Sequence, residues 1–464
     1  MSVPVTVMKF GGTSLEDGPG FARVAELLRS QEIDDGPPPI AVVSAMSGVT
    51  DALMRSLRLA QEDGSASAAR SLEPHFDRHM EVARALGATA ASTMRQLLET
   101  ARKEIVELLE ADRRDDTSSR SRNAITRDAI SSYGEILSAH LLRLVLNEYG
   151  SPASYVDARR CIKTNGDYGN ARPLGLETAL HTRAELQSLL NRKRLPVLGG
   201  FIGATIDGVT TTMGRGSSNH TATLVSAALG ARETQIWTDV NGVHTADPSL
   251  VEQARTISHL SYDEAEEIAR LGAKVLHQRM FEPVRAQQIP IRIRNSQSPR
   301  AEGTLISAQS PSPEASPTQT IKAIAHRNHL IRIDVRSTPA LVANGFQRSI
   351  EAIFNRHQIS MEIVGGTAEG LSLACDEGVP LAALVQELNQ CGSVEVTRSR
   401  AVVGCVGEGL NSPSDAVNRM TEILKSFDST LEWQKISRIN LVSLVDAGLV
   451  GQLVKRLHHE IFEQ

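Results

Sequence analysis

Four short, mostly apolar runs, Val5–Phe10, Ile40–Ala45, Leu195–Leu198 and Thr234–Trp237, recur through residues 1–305 with helical patterns between them. Runs of this kind do not alternate polar with apolar residues as one-sided strands do. They need cover on both faces, and a mainly parallel sheet between layers of helices supplies it. The class is therefore α/β. Glycines follow the runs: Gly11-Gly12 after the first, Gly199-Gly200 and Gly203 after the third, Gly242 after the fourth. Ligands in open α/β sheets bind outside the carboxyl ends of the strands, so several Gly-rich exits are expected to meet at one sheet edge.

From about residue 66 to 148 the pattern is helix after helix. Leu97, Leu98, Ala101, Ile105, Leu108 and Leu109 fall at helical spacing, which predicts a helical insertion walling a cleft. Within it, residues 113–122 have no apolar period and are expected to form a solvated loop. Residues 306–319 are rich in Ser and Pro and mark a linker between an α/β domain over 1–305 and a smaller part over 320–464. In the latter, strand, helix and two strands are expected twice. The first set is Leu330–Val335, Phe346–Arg356, Ile359–Val364 and Leu371–Cys375. The second is Ala401–Val406, Ala416–Phe427, Trp433–Ser437 and Ile439–Val445, with Ile321–His326 joining the second module across the sequence.

Composition removes several function classes. With 49 Lys+Arg against 54 Asp+Glu among 464 residues there is no basic excess to hold nucleic acid or an anionic membrane, and 3% aromatics leave few platforms for base stacking. Cys161, Cys375, Cys391 and Cys405 show no metal-ligand or disulfide spacing, so a reducing cytoplasmic compartment is expected. No run of 18 apolar residues predicts a transmembrane helix.

The chemistry-bearing residues cluster at the glycines. In Lys9-Phe-Gly-Gly-Thr-Ser14, two glycines let backbone N–H groups approach phosphate oxygens beside a lysine charge; the spacing is not that of a P-loop, and taken alone the motif is as often a plain strand-to-helix turn. Arg215, between two glycines and just before a helix expected to start near Ser217, suits a substrate carboxylate as a planar fork, with an exposed loop arginine the equal alternative. Asp239 and Asp247 in the Trp237–Pro248 segment could approach the waters of Mg²⁺, with turn formation the blander role of either. Lys274, in a Gly272–His277 stretch expected to be helical, could reach a phosphate. Glu135 in Ser-Ser-Tyr-Gly-Glu and the segment Ser44–Thr50 add polar groups beside glycines.

Taken in order, KFGGTS at 9–14, SAMSGVTD at 44–51, SYGE at 132–135, GFIG at 200–203, GRG…TA at 214–222, WTDVNGVHTADP at 237–248 and GAKVLH at 272–277 resemble the aspartate kinase family. Residues 320–464 are similar to its two α+β ACT regulatory modules, and the fold implied for 1–305 is the amino acid kinase fold. The resemblance implies Mg²⁺-assisted transfer of the γ-phosphoryl group of ATP to the β-carboxylate of L-aspartate, the first step of lysine, threonine and methionine biosynthesis. Carried over residue by residue, it puts Lys9 and Asn219 at the catalytic centre. Ser44, Thr50, Glu135 and Arg215 fall on the aspartate, with Arg215 at the α-carboxylate and Glu135 on the amino side. Gly11, Gly12, Thr13, Ser14, Thr238, Asp239, His244, Asp247 and Lys274 fall on the nucleotide. It further implies a homo-oligomer joined through ACT modules and a lysine or threonine effector. No dedicated protein metal cage, nucleic acid or membrane partner is implied, and no GxGxxG segment suggests a fused homoserine dehydrogenase.

The chain departs from the family pattern at the site. GRGSSN replaces the usual GRGGSD, so Asn219 keeps the shape of an aspartate without its charge, and Ser217 replaces a glycine. His244 stands for a tyrosine beside the nucleotide, and Gln278 and Met280 for a Pro and a Thr. In the first module, Met361-Glu-Ile-Val-Gly-Gly-Thr367 replaces the usual V-D-L-V-x-T-S, from which weak or absent effector inhibition is expected. These changes also permit a kinase diverged to another small amino acid or carboxylate, or an amino acid sensor without turnover.

Overall fold

The computed structural model describes residues 4–463 apart from 32–35, 115–119, 274, 309–320, 338–344, 358, 368–369, 409, 411–414, 429–432 and 435–436. The chain forms two compact units. One comprises residues 1–243, 258–262 and 277–310, the other residues 244–257, 263–276 and 311–464. Two stretches that precede the linker in sequence thus cluster with the C-terminal unit.

In the first unit the strands are β1 (Thr6–Phe10), β2 (Ile40–Val43), β3 (Ala153–Val156), β4 (Leu195–Gly199), β5 (Ile202–Ala204), β6 (Thr210–Thr212), β7 (Glu233–Thr238), β8 (His259–Leu260), β9 (Ile291–Asn295) and β10 (Thr304–Ile306). Eight of them make one sheet in the order β3-β4-β2-β1-β7-β9-β10-β8, parallel except at the β9–β10 pair, while β5 and β6 form a separate hairpin. Every residue of β2 and β4 is buried, as continuous apolar runs require. In β1 the burial is broken at one position, Lys9.

The predicted insertion is present as the helices Val49–Asp63, Ser65–Ala85, Ala88–Arg114 and Arg120–Glu148. Their apolar faces, with Leu72, Phe76, Leu98, Ile105, Leu109, Leu137 and Leu141, extend the core under the sheet. Both ends of the stretch 113–122, expected to be a loop, are helical. One helix runs on to Arg114 and the next begins at Arg120, because packing of the apolar stripes carries charged residues into the helix ends. Residues 115–119 lie outside the described residues.

Gly200 shows how closely the layers approach. A Cβ there would stand 2.5 Å from the Ser218 Cβ. Gly200→Ala is therefore expected to cost roughly 1–3 kcal/mol by overpacking. Thermal unfolding of the variant measures it, and an unchanged midpoint would show that the helix beginning at Ser218 can retreat.

In the second unit, β11 (Ala323–Arg336), β12 (Glu362–Thr367), β13 (Gly370–Asp376), β14 (Ser393–Val406) and β15 (Asn440–Asp446) make one antiparallel sheet in the order β12-β13-β11-β14-β15. The two modules are fused through their long strands. Residues 330–336 of β11 pair with β13 in the first module, whereas Ala323–Arg327 pair with Val402–Val406 in the second. This is the cross-sequence strand expected from Ile321–His326. The joint lies where both strands break register, with His329 at φ 60° and Ser399 at φ 56°. Separate cores underlie the halves, Ile331, Phe346, Ile350 and Phe354 in one and Val403, Met420, Leu424 and Leu453 in the other. Of the expected strand Trp433–Ser437, Gln434 makes a bridge to Val442, and 435–436 lie outside the described residues. The helices Leu381–Leu388 and Val450–Phe462 complete the unit.

The described residues of the Gly272–His277 stretch are not helical. The helix Tyr262–Arg270 ends before it, and Gly272 at φ 98° adopts the left-handed conformation that terminates helices. Lys274 lies outside the described residues.

Candidate active site

The carboxyl ends of the central strands are stitched together by backbone hydrogen bonds. The Ser44 N–H donates to the Phe10 carbonyl (3.1 Å), the Gly200 N–H to Val43 (2.8 Å), the Gly11 N–H to Trp237 (3.1 Å) and the Ser296 N–H to Thr238 (2.8 Å). The Gly-rich exits therefore meet at one edge. Gly12 permits this, since a Cβ there would lie 2.9 Å from the Ala45 carbonyl oxygen. At Gly11 a Cβ would come within 3.6 Å of the Lys9 Nζ, an ordinary contact distance, so this turn lies directly beside the ammonium.

Lys9 sits between Val42 and Ile236 of the adjacent strands. Burial pushes its ammonium down to about 8, against the pull of the Glu135 and Asp239 carboxylates. Glu135, on the helix Arg120–Glu148, is 4% exposed. Burial pushes its carboxyl up to about 8, although the backbone N–H groups of Ala45 and Glu135 and the charge of Lys9 favour the ionised form. Its Oε2 has no hydrogen-bond partner among the described residues. A buried carboxylate oxygen left so is costly until a ligand supplies a donor.

The segment before Glu135 explains its placement. A Cβ on Gly134 would be 2.7 Å from the Ala45 Cβ and 3.6 Å from the Thr50 Oγ1, so only glycine lets this helix lie on the 44–50 loop. Tyr133 turns away and donates to Glu104. Gly48, at φ 81°, ends that loop and starts the helix Val49–Asp63. Arg78 then clamps two loops, with Nη1 donating to the Ser47 carbonyl and Nη2 to that of Glu16, both at 2.8 Å.

Arg215 lies between Gly214 (φ 87°) and Gly216 (φ 78°) and is 88% exposed at its side chain. Its Nη2 donates to the Asp51 Oδ1 at 2.8 Å, which aims it at the helix start that carries Thr50. Ser217 Oγ donates to the Gly214 carbonyl at 2.6 Å and closes the turn. Asn219 follows, buried in the first turn of the helix Ser218–Leu229.

The other predicted residues divide. Ser44 is half-buried at the β2 exit and Thr13 is exposed after Gly12. The Ser14 hydroxyl is buried against that of Ser296 at 2.8 Å. Thr238 Oγ1 donates to the exposed Asp239 carboxylate at 3.1 Å. His244 and Asp247 belong to the second unit, where His244 bridges to Thr256. The Asp247 Oδ1 there accepts from the Ser249 N–H (2.9 Å) and hydroxyl (2.6 Å), which is the turn-forming role. Among the described residues no three His, Cys, Asp or Glu gather as a metal site. Mg²⁺ arriving on nucleotide phosphates needs only one or two protein carboxylates, and Asp239, charged and close to Lys9, fits that requirement.

Sequence reasoning missed His277, whose ring donates to the Arg215 carbonyl and lies 3.1 Å from where a Gly216 Cβ would be. It also missed Asp128 and the loop 164–173. The signal available was the Asn165-Gly-Asp-Tyr-Gly-Asn170 turn composition, which reads as an ordinary loop until its neighbours are known.

A profile of the amino acid kinase family matches residues 4–295. Over its full length the chain is 30% identical to lysine-sensitive aspartokinase 3 of Escherichia coli, covering 99% of each. The chain belongs to the aspartokinase family. It is also 30% identical to the chloroplastic aspartokinase 3 of Arabidopsis thaliana, covering 98% of this chain and 81% of that one. The aspartokinase fold extends over both units. The crystal structure of E. coli aspartokinase III in complex with aspartate and ADP (R-state) superposes with a TM-score of 0.85 at 27% identity, covering 99% of this chain and all of the other. The complex of that enzyme with lysine and aspartate (T-state) gives 0.76 at 29% identity, covering 99% of each.

Proposed function

We propose that the chain is an ATP-dependent aspartate kinase, transferring the γ-phosphoryl group to the β-carboxylate of L-aspartate to give 4-phospho-L-aspartate in amino acid biosynthesis. The observation that carries it is the placing of the Lys9 ammonium, beside the Gly11 turn, within electrostatic reach of a Glu135 carboxyl whose Oε2 has no hydrogen-bond partner among the described residues. The first suits phosphoryl oxygens and the second a substrate ammonium. Arg215 takes the α-carboxylate, and Thr50 and Ser44 close the aspartate pocket. The acceptor carboxylate is ionised near neutral pH, so no base is needed, and positioning with charge stabilisation carries the reaction. Mg²⁺ held near Asp239 neutralises phosphate charge when bound. ADP release from ATP and Mg²⁺ with L-aspartate, against a panel of other amino acids, tests this. The chain acts in the cytoplasm as a homo-oligomer. In support of that compartment, all four cysteines are free, as a reducing environment keeps them.

A second reading, a related substrate, is favoured by the Ser217 hydroxyl, which locks the turn before Asn219 in a way a glycine could not. Asn219→Asp separates the two. Higher aspartate turnover or a lower Mg²⁺ requirement is expected if the chain is a weakened aspartate kinase. No gain would mean that the pocket has adapted to a neutral residue.

Control by an amino acid effector is expected to be weak. Glu362 is held by Arg270 (3.3 Å) and Arg327 (3.0 Å), which leaves its carboxylate little call on a ligand ammonium. Gly345, at φ 87°, still opens the helix Phe346–Arg356. Lysine or threonine at micromolar concentration is expected to leave turnover unchanged. Inhibition at that level, lost on Gly345→Val, would show an intact effector site.

A further inference from the structure

Asp128 is 1% exposed, and its carboxylate accepts hydrogen bonds from two other segments. Oδ2 accepts the Gly169 N–H at 2.7 Å and the Thr212 N–H at 2.8 Å, and Oδ1 accepts the Thr212 hydroxyl at 2.8 Å. These positions bear on the site by short covalent paths. Asp128 lies seven residues, about two helical turns, before Glu135 on one helix, so the two share a face. Thr212 ends β6, three residues before Arg215. The loop 164–173 locks onto the same strand, with the Ala171 N–H donating to the Thr212 carbonyl at 2.9 Å and the Thr164 hydroxyl 2.7 Å from that of Thr211. It also abuts Gly214, where a Cβ would be 3.3 Å from the Asn170 Oδ1.

From this geometry we infer that Asp128 is a positioning residue that sets the separation between Glu135 and Arg215, and so fixes where an amino acid's α-carbon sits relative to Lys9. The substrate side of this inference rests on the aspartate reading. With amino group and α-carboxylate held at a set spacing, only one side-chain length brings the distal carboxylate to the phosphoryl donor. A loosened tether lets the Arg215 turn drift while Lys9, on its own strand, stays in place. The consequence falls on amino acid recognition and leaves nucleotide recognition intact.

Asp128→Asn in the full chain tests this, because the amide puts an N–H where an oxygen now accepts. The KM for L-aspartate is expected to rise at least about tenfold while kcat and the KM for ATP change by less than about threefold. The preference for L-aspartate over L-glutamate in kcat/KM is expected to narrow. Thr212→Val, which removes one donor and keeps the backbone, shifts the same quantities less and covers the case in which the first variant does not fold. Amide hydrogen exchange reads the tether without substrate, and residues 164–173 and 210–216 are expected to exchange faster while β1 is unchanged. Unaltered exchange there, or a lower kcat at constant KM and selectivity, would overturn the inference. If the wild-type chain releases no ADP with aspartate, the substrate reading fails and the exchange measurement still decides on the tether.

Discussion

Lys9→Ala is expected to lower kcat by at least about a hundredfold, close to 3 kcal/mol of barrier, with the fold retained. The side chain interrupts the burial of β1 and occupies the glycine-lined edge, so its removal deletes charge at the phosphoryl group and little core volume. Because burial outweighs the pull of the Glu135 and Asp239 carboxylates on its ammonium, removing that charge costs the folded state no net electrostatic stabilisation. Circular dichroism and thermal unfolding should therefore match the wild type while ADP release collapses. Retention of more than about a tenth of turnover, under about 1.4 kcal/mol, would remove Lys9 from the reaction.

The second large effect is on pH dependence. With the Glu135 carboxyl raised to about 8, the free protein carries it protonated at neutral pH, and a substrate ammonium binds the ionised form. Binding must expel that proton, so the KM for aspartate should fall as pH rises, by up to about tenfold per unit below 8, and level off above it. Glu135→Gln should raise KM and flatten this limb, since a neutral amide has no proton to lose. Lys9, lowered to about 8, is expected instead to lower kcat as pH rises through that value, and ATP phosphates should move this limb upward by favouring the ammonium. A KM for aspartate independent of pH between about 6 and 8 in the wild type would remove Glu135 from the amino-group contact.

Much of the architecture follows from local pattern. Continuous apolar runs gave the buried strands β1, β2, β4 and β7 because two-sided burial admits little else. The helix Phe346–Arg356 is found at its expected bounds, since its apolar face repeats at helical spacing between a left-handed glycine and a basic end. Where local pattern and packing compete, the sequence misleads. Residues 113–122 look like a loop, yet helix runs in from both sides; Gly272–His277 looks helical, yet Gly272 breaks the chain direction.

By itself the sequence determined the α/β class and the tandem modules, and it nominated Lys9, Glu135 and Arg215 as candidates, because apolar periodicity and motif chemistry are local properties. Only the tertiary structure decided that Glu135 and Lys9 share one edge, that Ser14 and Asp247 spend their polar groups on Ser296 and Ser249, and that Asp128 joins the Glu135 helix to the Arg215 turn. Those facts depend on contacts between residues as many as 282 positions apart, and on the burial that sets their protonation. Neither quantity is carried by any one segment of the chain.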